Sequence, residues 1–379
     1  MKILLWAPLG AGTHYWGPGT NIYRLYKVLK DKNYHITLVH GSSQQGHFPK
    51  VFEEQVFLAP YDGTPFDKLC FFYEGRKWMK KNYQKYDVFH GISAFETTFH
   101  FAVMFESYGK PAFVKLTGEY GGFGDSGIIS KILGISKRRE KNANKISGYI
   151  AISTKIVENL KNIGIVENKI FNIPNGVDTD RFRPIINKEE KLVLRKNLNI
   201  ENKLTICYIG GLTENKRIFE IVSAVKELIL KDIDIQLLIV GPDRSNGVEY
   251  NKIKDYIGSR IIHVPFTKTP EDYLRASDIY VLNSKSEGMP NSLLEAMATG
   301  LICLSTEASG SSDLITDSTT GYILDGTADD IVNKVKKILL DYELALNLGK
   351  QARSLIINKY SANSVLNKHL NLFNRYVNK

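Results

Sequence analysis

The chain alternates short apolar runs with longer segments in which apolar positions recur every three or four residues. In the first half the apolar runs occupy residues 3–7, 36–40, 88–91, 112–116, 149–152 and 169–173, and segments of helical length cover 21–32, 66–85, 95–108 and 154–163. Runs that are apolar throughout and separated by helices are typical of a parallel sheet covered on both faces. The first half therefore predicts an α/β domain.

This pattern pauses once and then repeats. Pro174-Asn175-Gly176-Val177-Asp178 opens an irregular stretch, which predicts a hinge over residues 174–186. Further apolar runs follow at residues 204–209, 235–240, 261–264, 279–282, 302–305 and 321–324, and an amphipathic helix is predicted over 361–379. The repetition predicts two Rossmann-like domains, 1–173 and 187–360. Function is expected in the loops at the carboxyl ends of their strands, where open α/β sheets bind ligands.

A glycine-rich segment between Gly10 and Gly19 follows the first run. It lacks the dinucleotide fingerprint, because the sixth position counted from Gly17 is Ile22 and the second run ends in His40. The P-loop motif is also absent from the sequence, so binding of NAD and P-loop ATPase activity are both disfavoured. Gly17 and Gly19 then form either a structural turn or an anion- or substrate-binding loop.

Composition adds limits on class and compartment. The 379 residues suit two large domains, and no apolar run reaches the roughly 18 residues of a membrane span. The first residues are interpreted as a buried strand and not as a signal peptide, which predicts a cytoplasmic protein. Cys70, Cys207 and Cys303 have unrelated spacings and are expected to be reduced core residues.

The net charge of +10 lies in two segments of the first half. Residues 76–85 carry Arg76, Lys77, Lys80, Lys81 and Lys85 without an acid, and residues 131–145 carry six basic residues against Glu140. Such segments favour an anionic partner: a nucleic acid, a phosphorylated ligand or an acidic membrane.

The second half contains two loops with candidate chemistry. After residues 204–209 come Gly210 and Gly211, then Lys216 and Arg217 at the start of a predicted helix. Glycines let the backbone approach a ligand, and a cation at a helix start suits a diphosphate. An ordinary solvated loop lysine explains Lys216 equally well.

The other loop runs from Ser286 to Gly300 and holds two carboxylates, Glu287 and Glu295. Ser292 and Glu295 have the spacing of a capping box, so Glu295 also has a structural explanation, and Gly300 is placed to end the helix. A separation of about 12 Å along a helix is too long for a glycosidase pair. The two carboxylates are therefore expected to hold different parts of one long ligand.

These residues, in this order, resemble the family-four retaining glycosyltransferases. The resemblance rests on Glu-Gly-Met-Pro-x-x-x-Leu-Glu-Ala-Met-Ala-x-Gly from Glu287 to Gly300, preceded by Ala276-Ser277-Asp278. Ile152-Ser153, Ile173 to Asp178 with Phe182 and Pro184, Gly210 with Lys216, and Thr320-Gly321 extend it over most of the chain. It implies the GT-B fold: an acceptor domain, a nucleotide-sugar domain, a cleft between them and a final helix that returns to the first domain.

The resemblance also implies roles for individual residues. Lys216 would bind the donor diphosphate, Glu287 the hydroxyls of the transferred sugar and Glu295 the ribose. The remaining donor-side positions are Gly210, Gly211, Arg217 and the backbone amides of Gly288, Met289, Asn291 and Ser292.

Two positions depart from the family. Gly211 stands where the family usually has Arg, and Arg217 either replaces that cation or does not. The frequent histidine after residues 112–116 is absent, and Glu119 or Asp125 would take its place on the acceptor side, with Gly17 and Gly19. The expected catalytic residues are therefore Lys216, Glu287 and Glu119.

The sequence thus predicts a glycosyltransferase of polysaccharide, lipopolysaccharide or glycolipid synthesis that uses a nucleotide-sugar donor, without a metal or further cofactor. Asp178-Thr179-Asp180 is interpreted as a turn and helix cap and not as a metal site. Nucleic acid is not expected as a partner, and the basic segments 76–85 and 131–145 predict peripheral contact with the inner face of an anionic membrane. The alternatives are a nucleotide-sugar epimerase of the same build and a non-catalytic two-domain ligand-binding protein.

Overall fold

The computed structural model describes residues 1–12, 17–31, 33–43, 51–93, 95–118 and 142–378. The chain divides into two compact units. The first contains Met1–Gly176 and Ala362–Lys379, and the second contains Val177–Ser361.

Strands and helices alternate through both units. The strands are β1 (Lys2–Trp6), β2 (His35–His40), β3 (Glu54–Phe57), β4 (Val88–Ile92), β5 (Ala112–Leu116), β6 (Gly148–Ala151), β7 (Ile170–Asn172), β8 (Leu204–Ile209), β9 (Ile235–Val240), β10 (Ile261–Val264), β11 (Ile279–Leu282), β12 (Ile302–Thr306) and β13 (Tyr322–Leu324). The helices are α1 (Gly17–Lys27), α2 (Pro65–Asn82), α3 (Glu96–Glu106), α4 (Thr154–Asn162), α5 (Lys188–Asn197), α6 (Ile218–Leu230), α7 (Val248–Ile253), α8 (Pro270–Ala276), α9 (Asn291–Thr299), α10 (Ala328–Leu340), α11 (Tyr342–Leu355) and α12 (Ala362–Val377).

The first unit is built on a seven-stranded sheet in the order β3-β2-β1-β4-β5-β6-β7. Every neighbouring pair is parallel, with Leu5 of β1 opposite both Leu38 of β2 and His90 of β4. All residues of β4 and β5 are buried, because helices cover both faces of a parallel sheet.

Helix α12 belongs to this first unit although it ends the chain. Its residues Val365, Leu370 and Phe373 lie in the same core cluster as Ile3 of β1 and Ile22 of α1. The predicted return of the final helix to the first domain is confirmed.

The second unit is built on a six-stranded parallel sheet in the order β10-β9-β8-β11-β12-β13. The predicted α/β architecture with two parallel sheets is thereby confirmed. Cys207 and Cys303 are fully buried in β8 and β12 of this sheet, and both are free thiols, as predicted.

Two local predictions differ from the structure. Strand β3 was not predicted, because Glu54 and Gln55 are exposed and polar, as an edge strand allows. Helix α1 begins at Gly17 and ends at Lys27, whereas the apolar period predicts residues 21–32. The first turn of α1 contains two glycines and a proline, which carry no periodic signal.

Candidate functional site

The second sheet reverses its strand order between β8 and β11. β9 and β10 continue on one side of this pair, and β12 and β13 on the other. In open α/β sheets a crevice for ligands opens at such a point, beyond the carboxyl ends of the strands. Lys216 follows β8 and Glu287 follows β11, so both sequence-predicted residues lie at this crevice.

Lys216 and Glu287 form an ion pair between Nζ and Oε1. Their side chains are 21% and 13% exposed, so the pair is sheltered but still reachable from solvent. The Ser284 hydroxyl donates to the same Oε1 atom at 2.7 Å. Between the two loops, Asn215 donates to Ser286 O at 2.9 Å and accepts from Ser286 N at 3.1 Å. The sequence placed these two charges in one site, and the structure brings them into contact.

Arg217 supports the turn that precedes α6. Its backbone is left-handed, with φ 47°, which is strained for a residue with a side chain. The guanidinium donates from Nε to Asn283 O at 3.0 Å and from Nη2 to Ser284 O at 3.3 Å. A Cβ on Gly326 would lie 2.1 Å from Nη1, so only glycine leaves room there. Arg217 is therefore bound to carbonyl groups at the end of β11.

The Gly210-Gly211 turn packs closely against its surroundings. A Cβ on Gly210 would lie 2.6 Å from the Tyr208 hydroxyl, which donates to Gly211 O at 3.0 Å. From the neighbouring strand, a Cβ on Gly241 would lie 2.0 Å from Gly210 O. Gly241 leaves no room for a side chain because the loops after β8 and β9 touch there through their backbones.

The helix after Glu287 starts two residues earlier than a Ser292 cap would place it. Its N-cap is Pro290, which provides no side-chain cap, and the predicted capping box of Ser292 and Glu295 is wrong. Ser292 instead accepts a hydrogen bond from the Tyr280 hydroxyl at 2.7 Å. Gly300 ends the helix in a left-handed conformation with φ 80°, as predicted.

Glu295 lies in the second turn of α9 and is buried. Its charge acts on Arg181: burial lowers the pKa of Arg181, but the charges of Glu271, Glu295 and Asp178 outweigh it, so the pKa is raised. The buried carboxylate of Glu295 therefore lies close enough to Arg181 for its charge to act on that guanidinium.

Asp278, at the amino end of β11, has a structural role that sequence reasoning missed. Its carboxylate accepts from Arg195 Nη2 and from Thr205 N, each at 2.8 Å, and forms an ion pair with Lys191. These bonds join β11 to β8 and to α5. In the sequence, Asp278 stands out only as part of the family motif Ala276-Ser277-Asp278. The motif does not indicate which residues the carboxylate binds.

On the acceptor side, Gly17 and Gly19 lie in the first turn of α1, exposed and buried respectively. Gly12 N donates to Gly19 O at 3.0 Å. Glu119, Asp125 and residues 131–141 of the second basic segment lie outside the described residues. Lys115 of β5, which sequence reasoning did not single out, is fully buried and donates to Asn21 Oδ1 at 3.1 Å.

The described residues contain neither a cluster of metal ligands nor a helix that could cross a membrane. No three His, Cys, Asp or Glu side chains among them are grouped closely enough to hold a metal ion. None of their helices combines the length and apolar character needed to cross a membrane. Asp178 forms the predicted turn by accepting from Asp180 N at 3.2 Å and Arg181 N at 3.0 Å, but no helix begins there, so the predicted helix cap is wrong.

Two family models match the chain. The model described as Glycosyltransferase Family 4 matches residues 17–181, and the model described as Glycosyl transferases group 1 matches residues 190–355.

Two curated relatives are bacterial enzymes. The chain is 30% identical over 210 residues to UDP-Gal:alpha-D-GlcNAc-diphosphoundecaprenol alpha-1,3-galactosyltransferase of Escherichia coli, covering 53% of each protein. It is 28% identical over 233 residues to N,N'-diacetylbacillosaminyl-diphospho-undecaprenol alpha-1,3-N-acetylgalactosaminyltransferase of Campylobacter jejuni, covering 60% of each. The alignments thus span between half and two thirds of these relatives.

The fold also matches a solved structure. HepE of Anabaena, crystallised in complex with UDP, superposes with a TM-score of 0.81 at 15% identity, over 99% of this chain and 100% of that chain. A likeness at this identity concerns the fold, and it agrees with the predicted GT-B architecture.

Proposed function

Because the chain belongs to glycosyltransferase family 4, we propose that it moves a sugar from a nucleotide-sugar donor to an acceptor hydroxyl. The transfer retains the anomeric configuration and uses no metal ion. The second unit binds the donor and the first unit binds the acceptor. The observation that carries this proposal is the ion pair of Lys216 and Glu287 at the crevice of the second sheet.

In this reaction the donor's anomeric carbon exchanges one oxygen partner for another. The bond to the diphosphate oxygen breaks, a bond to the acceptor oxygen forms, and the proton of the acceptor hydroxyl passes to the departing diphosphate. Negative charge grows on the departing nucleoside diphosphate, so fixed positive groups at that point lower the barrier. Lys216 supplies such a charge, and the amino end of α9, which Pro290 does not cap, supplies a positive dipole end.

Glu287 has two functions in this proposal. Its carboxylate orients Lys216 before the donor binds, with the Ser284 hydroxyl fixing the same oxygen. When Lys216 turns to the diphosphate, Glu287 accepts hydrogen bonds from hydroxyls of the transferred sugar. Glu295, farther along α9, binds the ribose.

The acceptor is proposed to be a lipid-linked sugar or a growing polysaccharide. Both curated relatives named above carry diphosphoundecaprenol in their names, which supports a lipid-linked acceptor.

Helix α2 provides a surface for contact with an anionic membrane. Phe66, Leu69 and Tyr73 are 70%, 63% and 58% exposed, and their spacing places them on one face of the helix. The exposed cations that follow on the same face are Arg76, Lys77, Lys80 and Lys81. Phe71, Gly75 and Met79 face the core of the unit. Exposed aromatic residues beside cations are typical of a helix that lies at a lipid interface.

The transfer is tested with a panel of UDP-, GDP-, ADP- and CDP-sugars and undecaprenol-linked acceptors. We expect one donor to release its nucleoside diphosphate only when an acceptor is present. The linkage should have the same anomeric configuration as the donor by NMR. An inverted product contradicts retention, and the absence of turnover with every donor contradicts the activity.

Membrane contact is tested by cosedimentation with anionic vesicles at low salt. Changing Arg76, Lys77, Lys80 and Lys81 to Ser should release the protein, because each cation near the surface contributes about 1 kcal/mol. A control that changes four exposed lysines of the second unit, Lys188, Lys196, Lys231 and Lys350, removes the same net charge and should still bind. Equal release of both variants shows that only net charge matters and contradicts docking through α2.

A further inference from the structure

Arg244, in the loop after β9, lies over the Gly210-Gly211 turn. A Cβ on Gly211 would be 2.8 Å from Arg244 Cδ and 3.1 Å from its Nε, so the arginine occupies the space that any larger residue at 211 would fill. The backbone is fixed there as well. Leu212 N donates to Pro242 O at 2.9 Å, and Arg244 N donates to Leu212 O at 3.0 Å.

The charges of Arg244 and Glu287 both act on the Tyr208 hydroxyl, which bonds to the Gly210-Gly211 turn. Burial raises the pKa of Tyr208, the charge of Glu287 raises it further, and the charge of Arg244 opposes that effect. One hydroxyl beneath the turn therefore senses both charges. Lys216, Glu287 and Arg244 lie in the loops that follow the carboxyl ends of three neighbouring strands, β8, β11 and β9.

Arg244 is exposed, and its side chain forms no hydrogen bond or ion pair with any residue of the described ranges. The nearest carboxylate in sequence, Asp243, is committed to its own turn: it accepts from Ser245 N at 3.1 Å, from the Ser245 hydroxyl and from Gly247 N. The charge of Arg244 is thus not neutralised locally.

The other cations at this crevice are already engaged. Lys216 is paired with Glu287, so the pair adds no net charge, and Arg217 is bound to carbonyl groups. A nucleoside diphosphate carries at least two negative charges, and the Lys216–Glu287 pair alone does not balance them. A guanidinium presents several donors in a fixed fork that suits phosphate oxygens.

We propose that Arg244 binds the diphosphate of the nucleotide-sugar donor, as the second cation beside Lys216. This inference rests on the proposed function. It assigns to the loop after β9 a cation for the diphosphate, which the loop after β8 does not provide because residue 211 is glycine. The reaction then depends on two loops that the backbone contacts of Gly210 and Gly241 hold together.

The test separates the phosphates from the rest of the nucleotide. Wild-type protein is titrated calorimetrically with UDP, GDP, ADP and CDP, and the tightest binder is compared with its own nucleoside. We expect Arg244→Gln to bind the diphosphate about 10- to 100-fold more weakly, because a hydrogen bond to a charged group is lost. Binding of the nucleoside should be unchanged, and Arg244→Lys should fall between wild type and Arg244→Gln.

Arg260→Gln is the matched control, because Arg260 is a partly exposed arginine of the same unit that precedes β10. It should bind both ligands like wild type. If Arg244→Gln binds the diphosphate within twofold of wild type, or loses the nucleoside equally, the assignment is overturned while the proposed function stands. If wild type binds none of the four diphosphates, the proposed function fails, and the assignment of Arg244 fails with it.

Discussion

The two parallel sheets are wound in the same way but hold their charged groups differently. In the second unit, Lys216 is paired with Glu287, and the buried Arg195 is paired with Asp278. In the first unit, the buried Lys115 donates to an amide oxygen, that of Asn21. Burial lowers the pKa of Lys115 to about 7 and that of the neighbouring His369 to about 3.

The two units thus show two ways in which a basic side chain can be buried in a protein core. A buried base without a counter-ion avoids the cost of desolvation by losing its proton. A paired base keeps its charge but depends on its partner. The second unit keeps its charges by pairing them, and the Lys216–Glu287 pair lies beyond the carboxyl ends of the strands, where a charged ligand can approach. The core of the first unit holds bases that favour neutrality.

Removing a counter-ion from the second unit should have the largest effect on stability. Asp278→Ala leaves Arg195 buried without its carboxylate, and arginine cannot lose its proton as Lys115 can. We expect the free energy of unfolding of the second unit to fall by about 3–5 kcal/mol, as for other broken buried pairs. Urea denaturation followed by far-ultraviolet circular dichroism measures this fall in the free energy of unfolding.

Asp234→Ala is the control for this variant. Asp234 also pairs with two cations, Lys203 and Arg260, at 3.5 and 3.4 Å, but its side chain is 65% exposed. Its loss should cost less than about 1 kcal/mol, as for surface pairs. Similar losses for the two variants would contradict the distinction between buried and exposed pairs.

Breaking the ion pair at the crevice should reduce activity more than stability. Lys216→Ala should lower the transfer rate by about 10²–10³-fold, the effect of removing one oriented donor from a developing anion. Glu287→Gln should also lower it, while the Ser284 hydroxyl keeps a partner. Initial rates with the donor identified by the panel measure both effects, and melting temperatures should stay near that of wild type.

Lys231→Ala is the matched control on α6's carboxyl side, where the exposed Lys231 pairs with Glu227. It should leave the rate unchanged. Near-normal transfer by Lys216→Ala would reject the catalytic role of the lysine, whatever its effect on folding.

Much of this site was accessible from sequence because it follows local rules. Continuous apolar runs predicted the strands, and the loops after β8 and β11 follow from the order of elements. Lys216 and Glu287 lie in these loops, but their roles were implied by the resemblance to the glycosyltransferase family, because position alone explains Lys216 equally well as a solvated loop lysine. Gly300 was correctly expected to end α9, since its position after an apolar helix is a local signal.

The remaining features depend on contacts between distant segments. Ser292 has the spacing of a cap, but the Tyr280 hydroxyl on β11 donates to it and the helix starts before it. Arg217 donates hydrogen bonds to the carbonyl oxygens of Asn283 and Ser284, which lie more than sixty positions away in the sequence. No periodicity or spacing in a single sequence records such pairs.

The first unit can be tested through the pH dependence of its stability. Lys115 has its folded pKa near 7, below the usual value for lysine, so between about pH 7 and 10.5 the unfolded chain binds more protons. Stability contributed by this site is therefore lost as the pH falls from 10.5 towards 7. Compared with Lys115→Met, wild type should gain stability as the pH rises, by at most about 1.4 kcal/mol per pH unit.

Urea denaturation of both proteins between pH 6.5 and 9.5 measures this difference. The neighbouring bases do not interfere in that range: burial lowers the pKa of His90 well below its usual value and that of His369 to about 3, so both stay neutral. Burial raises the pKa of Tyr26, whose hydroxyl lies 2.8 Å from His90 Nδ1, and Tyr26 is present in both proteins. Parallel stability curves for the two proteins would show that Lys115 stays protonated in the core.

The smallest effect is expected from removing metal ions. If the charge of the departing diphosphate is balanced by Lys216, Arg244 and the amino end of α9, transfer should continue in excess EDTA at the wild-type rate. Sodium chloride added to the same ionic strength controls for screening of these charges. A loss of activity that Mg²⁺ or Mn²⁺ restores would identify carboxylates as metal ligands, beginning with Asp178 and Asp180. The second unit would then balance the negative charge of the diphosphate with a bound metal ion. Its fixed positive groups would no longer explain why the reaction takes place at the crevice of the second sheet.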